Sequence, residues 1–203
     1  MRQVFVAQRH RLQIGLFVMA VLVAGAGSAA VDPGDAHPTG PNLLTNPGFD
    51  GDVSSWLGPA TWDSRHDAGG NRDSGSLRLS RPRTSSNSCA TEEQCLAVNP
   101  GTYELSGKAL VLAGDSNGSA SLRLHFCATT DCMCSPLSFG GSLGLVRGRQ
   151  DAWLPLTTGP LVAPAGTQSA GILLLACPEK DLVEADFDDM VFRRVPTATN
   201  PPK

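Results

Sequence analysis

The chain has 203 residues and a formal net charge of −3, from 16 basic and 19 acidic side chains. Its Lys and Arg are scattered rather than clustered, which excludes nucleic acid as a partner, because phosphate binding needs a basic footprint. At 41% hydrophobic residues, a chain of this length can bury one sizeable core.

Residues 1–30 have the three parts of a signal peptide. Arg2, Arg9 and Arg11 stand in an acid-free stretch, an apolar run follows over 14–26, and Ser28-Ala29-Ala30 offers the small residues of a cleavage site. The run is short for a membrane span, which needs roughly 20 residues. Cleavage after Ala30 with no membrane insertion is expected, and with it a secreted or periplasmic location. It would remove basic residues and no acid, leaving a more acidic chain. Residues 31–41, rich in Pro, Gly and Asp, read as a flexible lead-in. Residues 196–203 contain three Pro and no apolar anchor, and read as a disordered tail. The folded unit is expected over 42–195.

All six cysteines lie beyond the signal peptide: Cys89, Cys95, Cys127, Cys132, Cys134 and Cys177. An even count in an exported chain implies disulfides and no free thiol, while leaving the connectivity open. Cys89 and Cys95 are near enough in sequence to close a small loop, and are the pair expected first. Cys177 ends an apolar run and is a candidate to tie its strand to the 127–134 segment. The spacing His125-x-Cys127-x4-Cys132-x-Cys134 also has the look of a zinc cluster, but in an oxidising compartment disulfides take precedence.

No long 3.6-residue periodicity runs through the chain. Short segments recur instead between Gly, Pro, Asn and Asp. Residues 76–80 alternate, with Leu77 and Leu79 against Ser76, Arg78 and Ser80. Residues 103–112 follow the turn Asn99-Pro100-Gly101. Residues 121–127 alternate Leu122, Leu124 and Phe126 against Arg123, His125 and Cys127. Residues 153–162, 170–176 and 185–195 complete the set. Period-2 alternation with one polar face predicts half-buried antiparallel strands. Many such strands predict an all-β fold, a two-sheet antiparallel sandwich or jelly roll.

Several blocks resemble carbohydrate-binding modules of the family 4/9/22 type, in order along the chain. The first is Asn42-Leu43-Leu44-Thr45-Asn46-Pro47-Gly48-Phe49-Asp50 with Trp56 after it. Ser74-Gly75-Ser76-Leu77-Arg78-Leu79 and Pro100-Gly101-Thr102-Tyr103-Glu104-Leu105-Ser106 follow. Then come Asp151-Ala152-Trp153 with Pro164-Ala165-Gly166, and last Phe187-Asp188-Asp189-Met190-Val191-Phe192. The resemblance implies a galactose-binding-like jelly roll over 42–195. Phe49, Trp56, Leu77, Leu79, Tyr103, Leu105, Leu122, Leu124 and Phe126 would fill its core. It also implies a structural calcium ion held by Asp50, Asp188 and backbone carbonyls near Arg72 to Ser74, an all-oxygen set of the kind calcium takes. Asp50 stands where the family usually has Glu.

The resemblance further implies non-catalytic binding of a glycan. Sugar sites combine aromatic platforms with polar groups, and here aromatics are 5% of the chain with one Tyr. Lys108 occupies the position where the family usually has a Trp, five residues after the Tyr. Trp62 is the aromatic expected to be exposed, and Arg78, Lys108, Arg123 and His125 are the expected polar ligand contacts on one concave face. The alternative is a β-sandwich that has lost sugar binding and contacts an extracellular protein. An enzyme is not expected. Gly140-Gly141-Ser142-Leu143-Gly144 fits G-x-S-x-G, but a nucleophile elbow needs a following helix and a later His, and all four His precede Ser142. The acids at Glu92-Glu93, Asp181/Glu184 and Asp186/Asp188/Asp189 read as solvated rather than as a glycosidase pair.

Overall fold

The computed structural model describes residues 40–82, 88–113 and 118–196. The expected signal peptide, nearly all of the lead-in and the tail from 197 lie outside the described residues. Nine strands are present: β1 (Thr61–Asp63), β2 (Ser76–Pro82), β3 (Ala90–Ala97), β4 (Gly101–Ala113), β5 (Ser119–Cys127), β6 (Ser138–Arg147), β7 (Leu154–Ala163), β8 (Ser169–Cys177) and β9 (Leu182–Val195). There is no helix among the described residues. The strands pair antiparallel into a five-stranded sheet, β1-β2-β9-β4-β7, and a four-stranded sheet, β3-β8-β5-β6. This is the expected two-sheet sandwich.

Alternation decides what lies between the sheets. Leu77 and Leu79 of β2, Leu122, Leu124 and Phe126 of β5, Ile172 and Leu174 of β8, and Phe187 and Phe192 of β9 are all buried in one cluster. Phe49, Trp56, Tyr103 and Leu105 join it, as the sequence implied. Tyr103 stacks on Phe192 with ring centroids 5.3 Å apart.

One irregularity shapes the outer face of the five-stranded sheet. Ser106 pairs with Val191 and Lys108 with Asp188, so Gly107 alone faces Asp189 and Met190. This is a β-bulge, which adds a residue to one strand and re-aims its side chains. Asp189 takes φ 50° there. A Cβ on Gly107 would lie 2.3 Å from the Met190 sulfur, so a larger residue opposite the bulge would have to displace the Met190 thioether. The result carries Met190 into the core and leaves Asp189 exposed.

Six of these strands coincide with the expected segments, whereas β1, β3 and β6 carry no alternation that marks them. β3 was obscured by its inward polar residues. Glu92 and Gln94 share the core-facing side of β3 with Ala90, where they bond the segment that crosses over them: Ala60 N donates to Glu92 Oε2 and Thr45 N to Gln94 Oε1. Gly140–Gly144 lies within β6, a strand with no helix after it, so no nucleophile elbow is formed.

All six cysteines are paired, and the connectivity corrects the expected Cys89–Cys95 loop. Cys89 bonds Cys177, Cys95 bonds Cys132, and Cys127 bonds Cys134. Cys95 lies within β3 and Cys89 just before it. An extended chain rises about 3.3 Å per residue, far too much across that interval for the two sulfurs to meet. Cys177 ends β8 next to the start of β3, so its partner is Cys89 rather than a cysteine of the 127–134 segment.

Candidate functional site

The expected ligand contacts divide between opposite sides of the sandwich. Arg78 and Lys108 project from the outer face of the five-stranded sheet, whereas Arg123 and His125 project from the outer face of the four-stranded sheet. They do not share one surface. Trp62 pairs with the core residue Leu77, so it faces the core side at the edge of its sheet. It is 38% exposed and its Nε1 donates to Phe49 O at 2.7 Å. It does not stand beside Arg78 on the outer face.

On the four-stranded sheet, Cys95, Gly171 and His125 form one register row across β3, β8 and β5. A Cβ at position 171 would lie 2.2 Å from the His125 ring, so glycine lets the imidazole cross β8. His125 Nε2 comes within 3.9 Å of Glu93 Oε1.

On the five-stranded sheet, Arg78 is enclosed rather than presented. Its guanidinium forks onto Asp186 at 2.7 and 2.8 Å and also pairs with Asp63. His66 Nδ1 lies 2.9 Å from Asp186 and 3.1 Å from Asp63. Burial pushes the Asp186 carboxyl up against the pull of Arg78. Burial also works against Asp63, but hydrogen bonds from Arg65 and His66 and the Arg78 charge outweigh it and hold that carboxyl well below its ordinary range. One nitrogen of His66 and one oxygen each of Asp63 and Asp186 lie within 4.8 Å of one another, a spacing that suits a metal ion. The Arg78 guanidinium already stands among them, and is the cation that balances the two carboxylates.

The loop 64–75 is strapped down over this cluster. Ala68 N donates to Asp188 Oδ2 at 2.7 Å, and Asp189 N donates to Asp188 Oδ1 at 2.7 Å. Asp188 is 1% exposed, and burial raises its pKa to about 6. Asp50 is exposed and accepts from Ser74 Oγ at 2.9 Å at the other end of the strap. The two acids implied as calcium ligands are thus each tied to the strap, at different points along it. Each oxygen of Asp188 has one N–H donor and lone pairs to spare, so the donor set suits a hard cation in kind.

Beyond the strap the sheet opens into a groove of about 330 Å³ over β9, β4 and β7. Glu104, Ser106, Lys108, Thr157, Asp189 and Arg193 contribute its polar lining. Lys108 Nζ pairs with Asp189 at 2.8 Å and reaches the strap at Ala68 O, 3.5 Å away. The Asp189 hydrogen bond and charge raise the Lys108 pKa. Arg193 Nη2 pairs with Glu104 at 3.2 Å. Both cations of the groove are therefore already matched to carboxylates, and no aromatic side chain lines it. Of the expected ligand residues only Lys108 lies here. Glu104, Thr157, Asp189 and Arg193 were missed, although strand alternation from Lys108 would have placed Glu104 and Ser106 on its face.

No family model and no curated protein sequence matches the chain. Solved structures do. The CBM22-1 xylan-binding domain of Paenibacillus barcinonensis Xyn10C superposes with a TM-score of 0.56 at 15% identity, covering 80% of this chain and 100% of that one. TmCBM61, solved in complex with β-1,4-galactotriose, gives 0.51 at 14% identity, over 76% of this chain and 99% of that one. The enzymatically active domain of bacteriophage CBA120 tailspike protein 4 gives 0.53 at 12% identity; 76% of this chain matches, but only 21% of that one. The fold is that of carbohydrate-binding modules of the galactose-binding-like type.

Proposed function

We propose that this chain is a non-catalytic, exported glycan-binding module, and that its ligand lies in the groove over β9, β4 and β7. The observation that carries the reading is the groove itself. It is an open channel on one sheet, with a floor that includes Pro155 and Leu156 and polar side chains set along it, in a fold used by modules whose structures are described as xylan-binding or as bound to galactotriose. Ser106 and Thr157 supply hydroxyls, and the Lys108–Asp189 and Glu104–Arg193 pairs supply donors and acceptors held at fixed spacing. Such a surface recognises sugar hydroxyls without a reaction. With both cations paired, it favours a neutral hydroxyl-rich polymer over a polyanion. The lack of an aromatic platform predicts modest affinity, since ring stacking is absent.

A structural calcium ion is proposed at Asp50 and Asp188, where it would fasten the strap to the sheet. Chelation should then lower the melting temperature and added calcium restore it, because a ligand bound only by the folded state stabilises that state. Asp188→Ala should abolish the effect, and a melting curve indifferent to chelator and calcium would remove the site.

Affinity electrophoresis against soluble xylan, galactan and polygalacturonate tests the binding itself. Retardation by a neutral polymer is expected. Migration unchanged in every gel would favour a protein-interaction role instead.

A further inference from the structure

Four cysteines crowd one end of the outer face of the four-stranded sheet. Cys95 projects from β3 and Cys127 from β5, with β8 between them. The loop 128–137 lies over this end and brings Cys132 above the middle strand. Cys132 Sγ is 3.3 Å from Ser169 Oγ, and Ser169 is the direct register partner of Cys127. Neighbouring strands are about 4.8 Å apart. Cys132 is therefore poised between two sulfurs, Cys95 on one side and Cys127 on the other. Its carbonyl oxygen lies 3.6 Å from Cys127 Sγ. Ser169 Oγ, 2.6 Å from Thr129 O, holds the loop backbone in place over β8.

Burial divides the four unequally. Cys127 is fully buried and Cys132 is 8% exposed, whereas Cys95 and Cys134 are half-buried. The sulfurs that a reductant reaches are thus the outer two, and the inner two both neighbour Ser169 of β8.

We propose that this loop is a thiol–disulfide switch: two-electron reduction by a small dithiol converts Cys95–Cys132 and Cys127–Cys134 into a single buried Cys127–Cys132 disulfide, with thiols at Cys95 and Cys134. The dithiol attacks the Cys95 sulfur, and Cys132 leaves as a thiolate. The second reductant thiol closes the reductant into its cyclic disulfide and frees Cys95. The Cys132 thiolate then attacks Cys127 Sγ, the Cys127–Cys134 bond breaks, and Cys134 leaves and takes a proton from solvent. Attack at Cys134 reaches the same state from the other side, because the released Cys127 thiolate attacks Cys132 and expels Cys95. One dithiol is oxidised and one protein disulfide is lost in either case. A thiolate displaces a neighbouring sulfur in this way wherever access allows.

The switch unfastens the loop from β3 while leaving it fastened to β5. β3 is the edge of its sheet, so the freed strand keeps its pairing with β8 and loses its covalent cover. Cys89–Cys177 takes no part, since it closes the opposite end of β3.

The native protein is treated with graded dithiothreitol, quenched in acid, alkylated in denaturant and mapped by fragmentation mass spectrometry. In the two-thiol species, the label should lie on Cys95 and Cys134, with Cys127 linked to Cys132 and Cys89 to Cys177. Cys134 should carry roughly ten times the label of Cys132, a preference of about 1.4 kcal/mol. Label on Cys95 with Cys132, on Cys127 with Cys134, or on Cys89 with Cys177 overturns the proposal. The Cys95→Ser variant gives a second reading without reductant: its lone thiol should be Cys134, and a lone thiol at Cys132 contradicts the exchange.

Discussion

The two outer faces of this sandwich each carry a loop folded over a sheet, and they hold it by different chemistry. On the five-stranded face the strap 64–75 is tied to charged groups: Arg65 to Asp63, His66 to Asp63 and Asp186 beside Arg78, and Ala68 N to Asp188. On the four-stranded face the loop 128–137 is tied by covalent bonds from Cys132 to Cys95 and from Cys134 to Cys127. Both devices use residues that strand alternation turns away from the core. They respond to different conditions. Ion pairs answer to pH and to the loss of either partner, whereas disulfides answer to thiols. The face held by charge is also the one with an open groove, and Lys108 links the two by touching both the strap and Asp189.

The largest single effect should come from the covalent side, where the disulfides rank by the length of chain each bond closes. Cys89–Cys177 spans 88 residues and Cys127–Cys134 spans 7. Replacing both members of the first pair with serine should cost about 4–5 kcal/mol, and of the second about 2 kcal/mol. Chemical denaturation of the two double variants checks the order. Equal losses would mean that the restraint on the unfolded chain is not what these bonds supply.

On the charged face, Arg78→Ala removes the guanidinium fork from the fully buried Asp186, while Asp63 keeps Arg65 and His66, and should cost about 3 kcal/mol. Arg78→Met with Asp186→Leu removes the pair together and should cost far less. If the double variant is as unstable as the single one, packing rather than charge holds the strap. Arg78→Ala should leave the four-stranded face intact, which disulfide mapping would confirm.

A smaller effect of opposite sign is expected at Glu92, which faces the core side of β3. Its pKa is raised by burial, against a single hydrogen bond from Ala60 N. The folded state then binds its proton more tightly than the unfolded state, so this group adds stability as pH falls and withdraws it at neutral pH. Glu92→Gln should raise the melting temperature at pH 7. The gain should vanish as pH falls below the ordinary glutamate range. Thermal melts of both proteins across that range decide it. A modest effect is also expected at the partly buried pair of Arg193 and Glu104, where Arg193→Ala should cost about 1–2 kcal/mol and should weaken binding as well.

The sequence made the sandwich legible wherever alternation was clean. Leu122, Leu124 and Phe126 against Arg123 and His125 described β5 correctly, faces included. It failed at β3, because Glu92 and Gln94 point inward to bond a crossing segment that no local pattern reveals. It failed at the cysteines for the same reason: their partners are set by which strands lie side by side, and Cys89 meets Cys177 only once β3 has paired with β8. The candidate site was harder to read. Lys108 was legible as an outward residue, but a sequence cannot say which outward residues share a sheet. Arg78 read as an available cation and is instead the centre of a closed ion cluster.

The proposed ligand site is the outer face of the five-stranded sheet. The most direct test is titration calorimetry of a neutral soluble polysaccharide that retards the native protein, with Lys108→Ala, Asp189→Ala and Arg123→Ala compared. The groove variants should lose about tenfold or more in affinity, the equivalent of about 1.4 kcal/mol, while Arg123→Ala on the opposite face binds as the native protein does. Native affinity in both groove variants together with a loss in Arg123→Ala would place the ligand on the other sheet and contradict the account.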